Sequence, residues 1–178
     1  LIDASMANLR FVKAEVVSHK ARQLLTSPLL IRFLKYLDED SGEMVKRTSA
    51  LLEQYVGDRV PFMWVFDCFA SYAGLREALS PDVQPPLSIG DLLINPEQPP
   101  NRINAVPLLL LRKKKEIPLP SEDTPLMSGD RILFAGQRGE GELQKRFLLE
   151  PSPLVFVRTG MEPPRSWLFR RLLQRDRS

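Results

Sequence analysis

Two stretches decide the fold class: Asn104-Ala105-Val106-Pro107-Leu108-Leu109-Leu110-Leu111-Arg112 and Gly129-Asp130-Arg131-Ile132-Leu133-Phe134-Ala135-Gly136. Each is a short apolar run bounded by turn-forming or charged residues. Neither approaches the ~18 residues that span a bilayer, so both read as strands, over 104–112 and 131–135. Gly129-Asp130 is a turn signal: the glycine permits the bend and Asp130 can bond its own backbone within it. Around these stretches the chain is rich in proline, with ten of its 16 prolines between Pro81 and Pro125. Proline removes a donor and fixes φ, which forbids long helices here and keeps strands short. A second turn signal, Gly90-Asp91, precedes a predicted strand over 91–95. Upstream, Val60 to Ala70 is aromatic and β-branched, which favours a strand, and Ser71 to Leu79 reads as a short helix. Downstream, Glu140 to Leu149 reads as a helix and Leu154 to Arg158 as a last strand.

The first third has helical periodicity. Val16, Val17, Ala21, Leu24 and Leu25 share one helix face. Ser27-Pro28 has the form of an N-cap followed by proline at the first helical position. Leu29, Leu30, Phe33, Leu34 and Leu37 repeat the stripe, and Gly42 breaks it. Met44, Val45, Thr48, Leu51, Leu52, Tyr55 and Val56 form a third stripe that ends near Gly57. Leu9 to Val12 reads as a short strand ahead of these helices. Helices first, then strands interleaved with helices, is an α+β order. The boundary falls at 57–61, dividing a helical unit, 1–57, from an α/β unit, 58–178, that ends in a basic helix.

Composition bounds the function. The chain has 178 residues, 43% hydrophobic and 26% charged. That is an ordinary globular balance, with enough length for a core. There is no signal-peptide pattern at the N-terminus, and because Leu1 is not methionine the chain is expected to be a piece of a longer protein. The net charge of +3 is concentrated in the tail, where residues 165–178 carry five arginines and one acid. The remainder is close to neutral, unlike a nucleic-acid domain with a basic face on its body. Trp167 to Gln174 projects as a basic amphipathic helix, which either docks on the domain or lies on anionic lipid.

Little points to catalysis. The one histidine, His19, and the one cysteine, Cys68, sit in no known nucleophile signature, and together they are too few for a zinc site. Cys68 lies in an apolar stretch and reads as a small buried hydrophobe. Asp38, Asp40 and Glu43 belong to an acidic cluster with the spacing of the first two ligands of a calcium loop. The glycine comes one position early and Ser49 stands where the last glutamate belongs, so a solvated loop is the better reading and a divalent-cation site the weaker one. Arg112-Lys113-Lys114-Lys115 reads as a hairpin tip or exposed strand end, with phosphate contact the alternative. The glycines at 136, 139 and 141 lack the dinucleotide-binding order and serve a strand-to-helix turn.

The run Ala105 to Arg112, then Pro118-Leu119-Pro120-Ser121-Glu122-Asp123-Thr124-Pro125-Leu126, then Gly129-Asp130 to Gly136, resembles the C-terminal subdomain of RCK (Trk-type) potassium regulators. In that family a strand ending in arginine precedes a P-x-x-D-T-x-L-x-x-G-D hairpin and a last strand. Phe11 to His19, Ser27 to Leu30 and Gly57 to Pro61 with Trp64 look like the segment that joins this subdomain to a nucleotide-binding half. Val155 to Gly160, Pro163 to Arg165 and Trp167 look like the tail of a proteobacterial potassium-channel branch.

The resemblance implies that the helical segment is the remnant of a Rossmann-like half. It implies a non-catalytic, ligand-sensing gating domain on the cytoplasmic face of the inner membrane, paired with itself as a homodimer or ring and with a pore domain. Nicotinamide nucleotide is not expected on these residues, because the glycine-rich half is missing, and no nucleic-acid partner is expected. By analogy with the cleft between paired subdomains, Asn104, Ala105, Val106, Pro107 and Arg112 are the candidate ligand contacts, for a small molecule or ion that the sequence does not name. The alternatives are the distal part of a nicotinamide-dependent enzyme and a nucleic-acid or membrane-surface binder acting through the arginine-rich tail.

Overall fold

The computed structural model describes residues 28–40, 42–80 and 84–149, together with Leu154 and Arg158. The predicted strand at 9–12, the helix over 16–25, Ser27, His19 and the basic tail lie outside them. The described elements are α1 (Pro28–Glu39), α2 (Glu43–Tyr55), β1 (Phe62–Cys68), a 3-10 turn (Gly90–Leu93), β2 (Ala105–Arg112), β3 (Lys115–Pro118), β4 (Asp130–Gly136) and α3 (Glu140–Leu149). The strands form one antiparallel sheet in the order β1-β4-β2-β3. This is the α+β class expected from the sequence.

The two central strands are the two apolar runs, and the proline within β2 has a structural role. Pro107 pairs with Phe134 and Leu109 with Leu133, so Leu108 is an extra residue, a bulge. A bulge is where a strand interior tolerates proline. It also breaks the two-residue alternation. Leu108 and Leu109 both join the cluster formed with Leu29, Leu30 and Phe33 of α1, while Leu110 joins the cluster on the other face.

The helices cover one face of the sheet. Leu29, Leu30 and Phe33 pack on Val106, Leu108, Leu109, Leu133 and Ala135. Gly42 has φ 92°, a left-handed conformation that suits glycine, and separates α1 from α2. Gly57 ends α2 in the same way (φ 73°), its N–H bonded to the carbonyls of Leu52 and Glu53. The opposite face is covered by α3 through Phe147 and by the proline-rich segment, whose Leu87, Ile89, Leu92, Leu93 and Ile103 are buried. The prolines therefore exclude regular elements without excluding a core layer.

Three sequence expectations are corrected. Residues 91–95 are not a strand. The Ser88 N–H donates to Asp91 Oδ2 at 2.8 Å and the Asp91 N–H to Ser88 Oγ at 3.3 Å, which winds Gly90–Leu93 into a 3-10 turn. Only Ile94 keeps a bridge, to Arg102. Residues 71–79 are successive turns rather than a helix. Leu75 and Leu79 donate within the segment, but the Gly74 N–H turns away to Leu148 O at 3.2 Å. Leu154 and Arg158 are helical, not extended, with Leu154 buried in the cluster around α3. One strand was unforeseen: β3 is four residues long and carries Lys115, Glu116 and Pro118, so it lacks an apolar signal.

Candidate functional site

Arg112 ends β2, and its guanidinium crosses to the start of β4. Nε donates to Asp130 Oδ1 at 2.9 Å and Nη2 to Oδ2 at 2.7 Å. Nη2 also reaches Pro125 O at 2.6 Å, and the Met127 N–H donates to Asp130 Oδ2 at 2.9 Å. Asp130 is 1% exposed. A carboxylate this deep is tolerable because its partner is planar and two-pronged and a backbone donor assists. The bonds to Asp130 push the Arg112 guanidinium above its ordinary range, outweighing its burial. The clamp ties the strand-ending arginine to the aspartate of the Gly-Asp turn and to the Thr-Pro-Leu segment between them.

The five candidate ligand residues fall into two places. Asn104 is exposed at the start of β2, with Nδ2 3.4 Å from Glu140 Oε1. Ala105, Val106 and Pro107 are buried between β4 and the two layers. Arg112 lies at the far end of the strand, about 26 Å from Asn104 at strand rise, and is engaged by Asp130. The structure does not bring Asn104 and Arg112 together around one small molecule.

The acidic cluster is spread. Asp38 and Glu43 are exposed, and Asp40 Oδ2 accepts the Met44 N–H at 2.5 Å, capping the first turn of α2. Among the described residues no group of three or more His, Cys, Asp or Glu side chains is placed to hold a metal ion. The basic run is a hairpin tip, as expected: Arg112 pairs with Lys115, and Lys113, Lys114 and Lys115 are exposed. Cys68 is fully buried, and burial, then the charges of Asp130 and Asp67, push its thiol well up.

Among the described residues, two surface grooves stand out. One, of about 440 Å³, lies between α1 and β3, with Arg32, Lys35, Tyr36 and Glu116 in its walls. Arg32 pairs with Glu116 there. Burial, then the hydrogen bond to Glu116, pushes the Tyr36 hydroxyl above its usual range. The other groove, of about 390 Å³, lies over β1 and the neighbouring part of β4, Arg131 and Leu133. Phe62, Met63, Trp64 and Val65 line it, with Pro28, Leu29 and Leu30 on one side and Gly139, Gly141, Glu142 and Lys145 on the other. Neither groove has a local signature in the sequence, since residues far apart in the chain build each one.

No family model matches the chain, and a search among curated proteins finds no significant match. Among the described residues no helix is long and apolar enough to cross a membrane.

Proposed function

We propose that this chain is a non-catalytic, ligand-sensing gating domain of a potassium channel or potassium transport system, of the RCK C-terminal type. The observation that supports the reading is the Arg112–Asp130 clamp. The resemblance rests on a strand ending in arginine, a proline-containing hairpin segment and a Gly-Asp turn, and the clamp joins these three parts through hydrogen bonds. On this reading the chain pairs with a second copy, in a dimer or ring on the cytoplasmic face of the inner membrane, and a small molecule or ion shifts the assembly between two states. Such a ligand gates only through a difference in its affinity for the two. Of the candidate residues, the exposed Asn104 just ahead of β2 is the best placed to meet a ligand from outside, while Arg112 holds the hairpin.

Sedimentation equilibrium tests the assembly: a dimer or larger species is expected, and a strict monomer at high concentration would sink the reading. A thermal-shift series with monovalent cations, divalent cations and nucleotides tests the sensing, since a ligand that binds only the folded state raises its stability. In the full-length protein, the ligand found this way must change potassium flux in vesicles. An Asn104→Ala variant is expected to weaken its effect without unfolding the chain.

A further inference from the structure

One end of the sheet gathers two kinds of exposed side chain. β1 ends there at Cys68, in register with Asp130 at the start of β4. β2 ends there at Arg112, opposite Lys115 at the start of β3. At a strand spacing of about 4.8 Å, the four strand ends spread over about 14 Å. The loops beyond them carry Phe69 and Tyr72, then Met127, then the hairpin tip of Lys113, Lys114 and Lys115, all exposed.

Hydrogen bonds hold these loops together. The Gly129 N–H donates to Cys68 O at 2.7 Å and the Ala70 N–H to Ser128 Oγ at 3.1 Å, which ties the Met127 loop to the Phe69 loop. Arg112 ties the hairpin to the same loop through Pro125 O and Asp130. The positions that carry the apolar and cationic side chains are thus fixed relative to one another, so a partner has little backbone left to order. The charge is unbalanced. Arg112 is engaged by Asp130, Arg131 by Asp67 and Glu116 by Arg32, whereas among the described residues Lys113, Lys114 and Lys115 enter no ion pair. Of the exposed acids on the same loops, Glu77 has Arg76 beside it and Glu122 is held by Arg102, which leaves Asp123 against three lysines.

We propose that this end of the sheet is a docking surface for an anionic lipid bilayer. A bilayer supplies both complements at once: negative headgroups for the lysines, and an interfacial layer that takes the two rings and the thioether. Lysines alone would be a solvated hairpin tip, and exposed rings alone would suit any apolar partner. A bilayer also needs no cavity, and neither groove takes in any of these residues. Single-stranded nucleic acid fits less well. Its bases stack on open ring faces, whereas the rings of Phe69 and Tyr72 are tilted 46° to each other and more than half covered. The proposal does not depend on the gating reading, and it concerns the folded body rather than the basic tail.

The test is flotation of the full chain with vesicles of phosphatidylcholine alone and of phosphatidylcholine mixed with phosphatidylglycerol. Binding is expected on the mixed vesicles only, and it should fall as salt is raised. A lysine near an anionic surface contributes about fivefold, so Lys113→Gln, Lys114→Gln and Lys115→Gln together are expected to weaken binding on the order of a hundredfold. Phe69→Ser with Met127→Ser is expected to weaken it about tenfold and to leave the salt dependence in place. All five side chains are exposed, so the variants should melt with the parent. The second measurement is a polarity-sensitive dye on Met127→Cys, with the buried Cys68 left unlabelled; its emission should move to shorter wavelength on the mixed vesicles. Binding that survives both sets of changes but is lost when the arginines of 165–178 become glutamine would assign it to the tail. Equally tight binding to single-stranded RNA with no dye shift would assign the lysines to a phosphate polymer. A dye shift that follows protein concentration without vesicles would assign the surface to a second copy. Any of these, or no binding to either vesicle, overturns the proposal.

Discussion

The indole N–H of Trp64 on β1 donates to Oε1 of Gln144 on α3 at 2.7 Å, while Nε2 of the same amide donates to Leu92 O at 2.9 Å. One fully buried glutamine thus joins an edge strand to the proline-rich layer. Replacing Gln144 by Leu leaves the indole N–H and the Leu92 carbonyl without these partners. The expected loss is about 2–4 kcal/mol from two orphaned groups. Urea unfolding measures it. Trp64→Phe, which removes the donor and keeps the stacking on Phe134 (ring centres 5.8 Å apart), is expected to cost less.

The same indole sits against two glycines. A Cβ on Gly136 would stand 2.6 Å from the backbone oxygen of Asn104 and 2.8 Å from Trp64, whereas one on Gly141 would stand 3.0 Å from the indole alone. A carbonyl in the sheet cannot yield, so Gly136→Ala is expected to cost about 2–3 kcal/mol by overpacking. Gly141 lies in the first turn of α3, where alanine regains up to about 1 kcal/mol of helix propensity. Gly141→Ala is therefore expected to cost clearly less than Gly136→Ala. Equal thermal shifts for the two would contradict this.

Arg112→Met is expected to destabilise the chain by about 3 kcal/mol, because it strands the buried carboxylate of Asp130. The double variant Arg112→Met with Asp130→Leu should recover part of that loss. Chemical denaturation of the three variants and the parent forms the cycle that checks it.

Cys68 gives a pH dependence with a definite sign. Its thiol is pushed up in the folded chain and ionises near its ordinary value, about 8.5, once unfolded. Above that value the unfolded chain binds fewer protons than the folded one, so stability falls as pH rises. The urea midpoint is expected to decline from pH 8 to about 10.5 more steeply in the parent than in Cys68→Ala. Iodoacetamide should label Cys68 only under denaturing conditions.

The sequence made parts of this fold legible and hid others for identifiable reasons. β2, β4, β1 and α3 are long apolar or periodic runs with turn residues at their ends, so local signal and tertiary demand agree. Gly42 and Gly57 mark helix ends because the chain takes a positive φ there. The segment from Asp91 to Asn95 misled because its apolar run follows a Gly-Asp turn signal, while a reciprocal pair of bonds between Ser88 and Asp91 winds Gly90–Leu93 into a 3-10 turn. Residues 71–79 have helical composition, but Gly74 bonds to another element. For the site, the hairpin tip and the Gly-Asp turn were readable from spacing. The clamp on Asp130 was not, since nothing in sequence says that Arg112 folds back eighteen positions onto it. The groove beside β1 is built by residues far apart in the chain and has no local signature.

The sheet's two edges bear on solubility. Growth of a sheet from molecule to molecule needs two receptive edges, one to accept and one to offer. Lys115 and Pro118, which lacks an N–H, disable one of them, β3. Among the described residues the other is β1, and association through it joins two copies edge to edge about a two-fold axis, with no edge left to extend. The product of such edge pairing would be a closed pair and not a fibre.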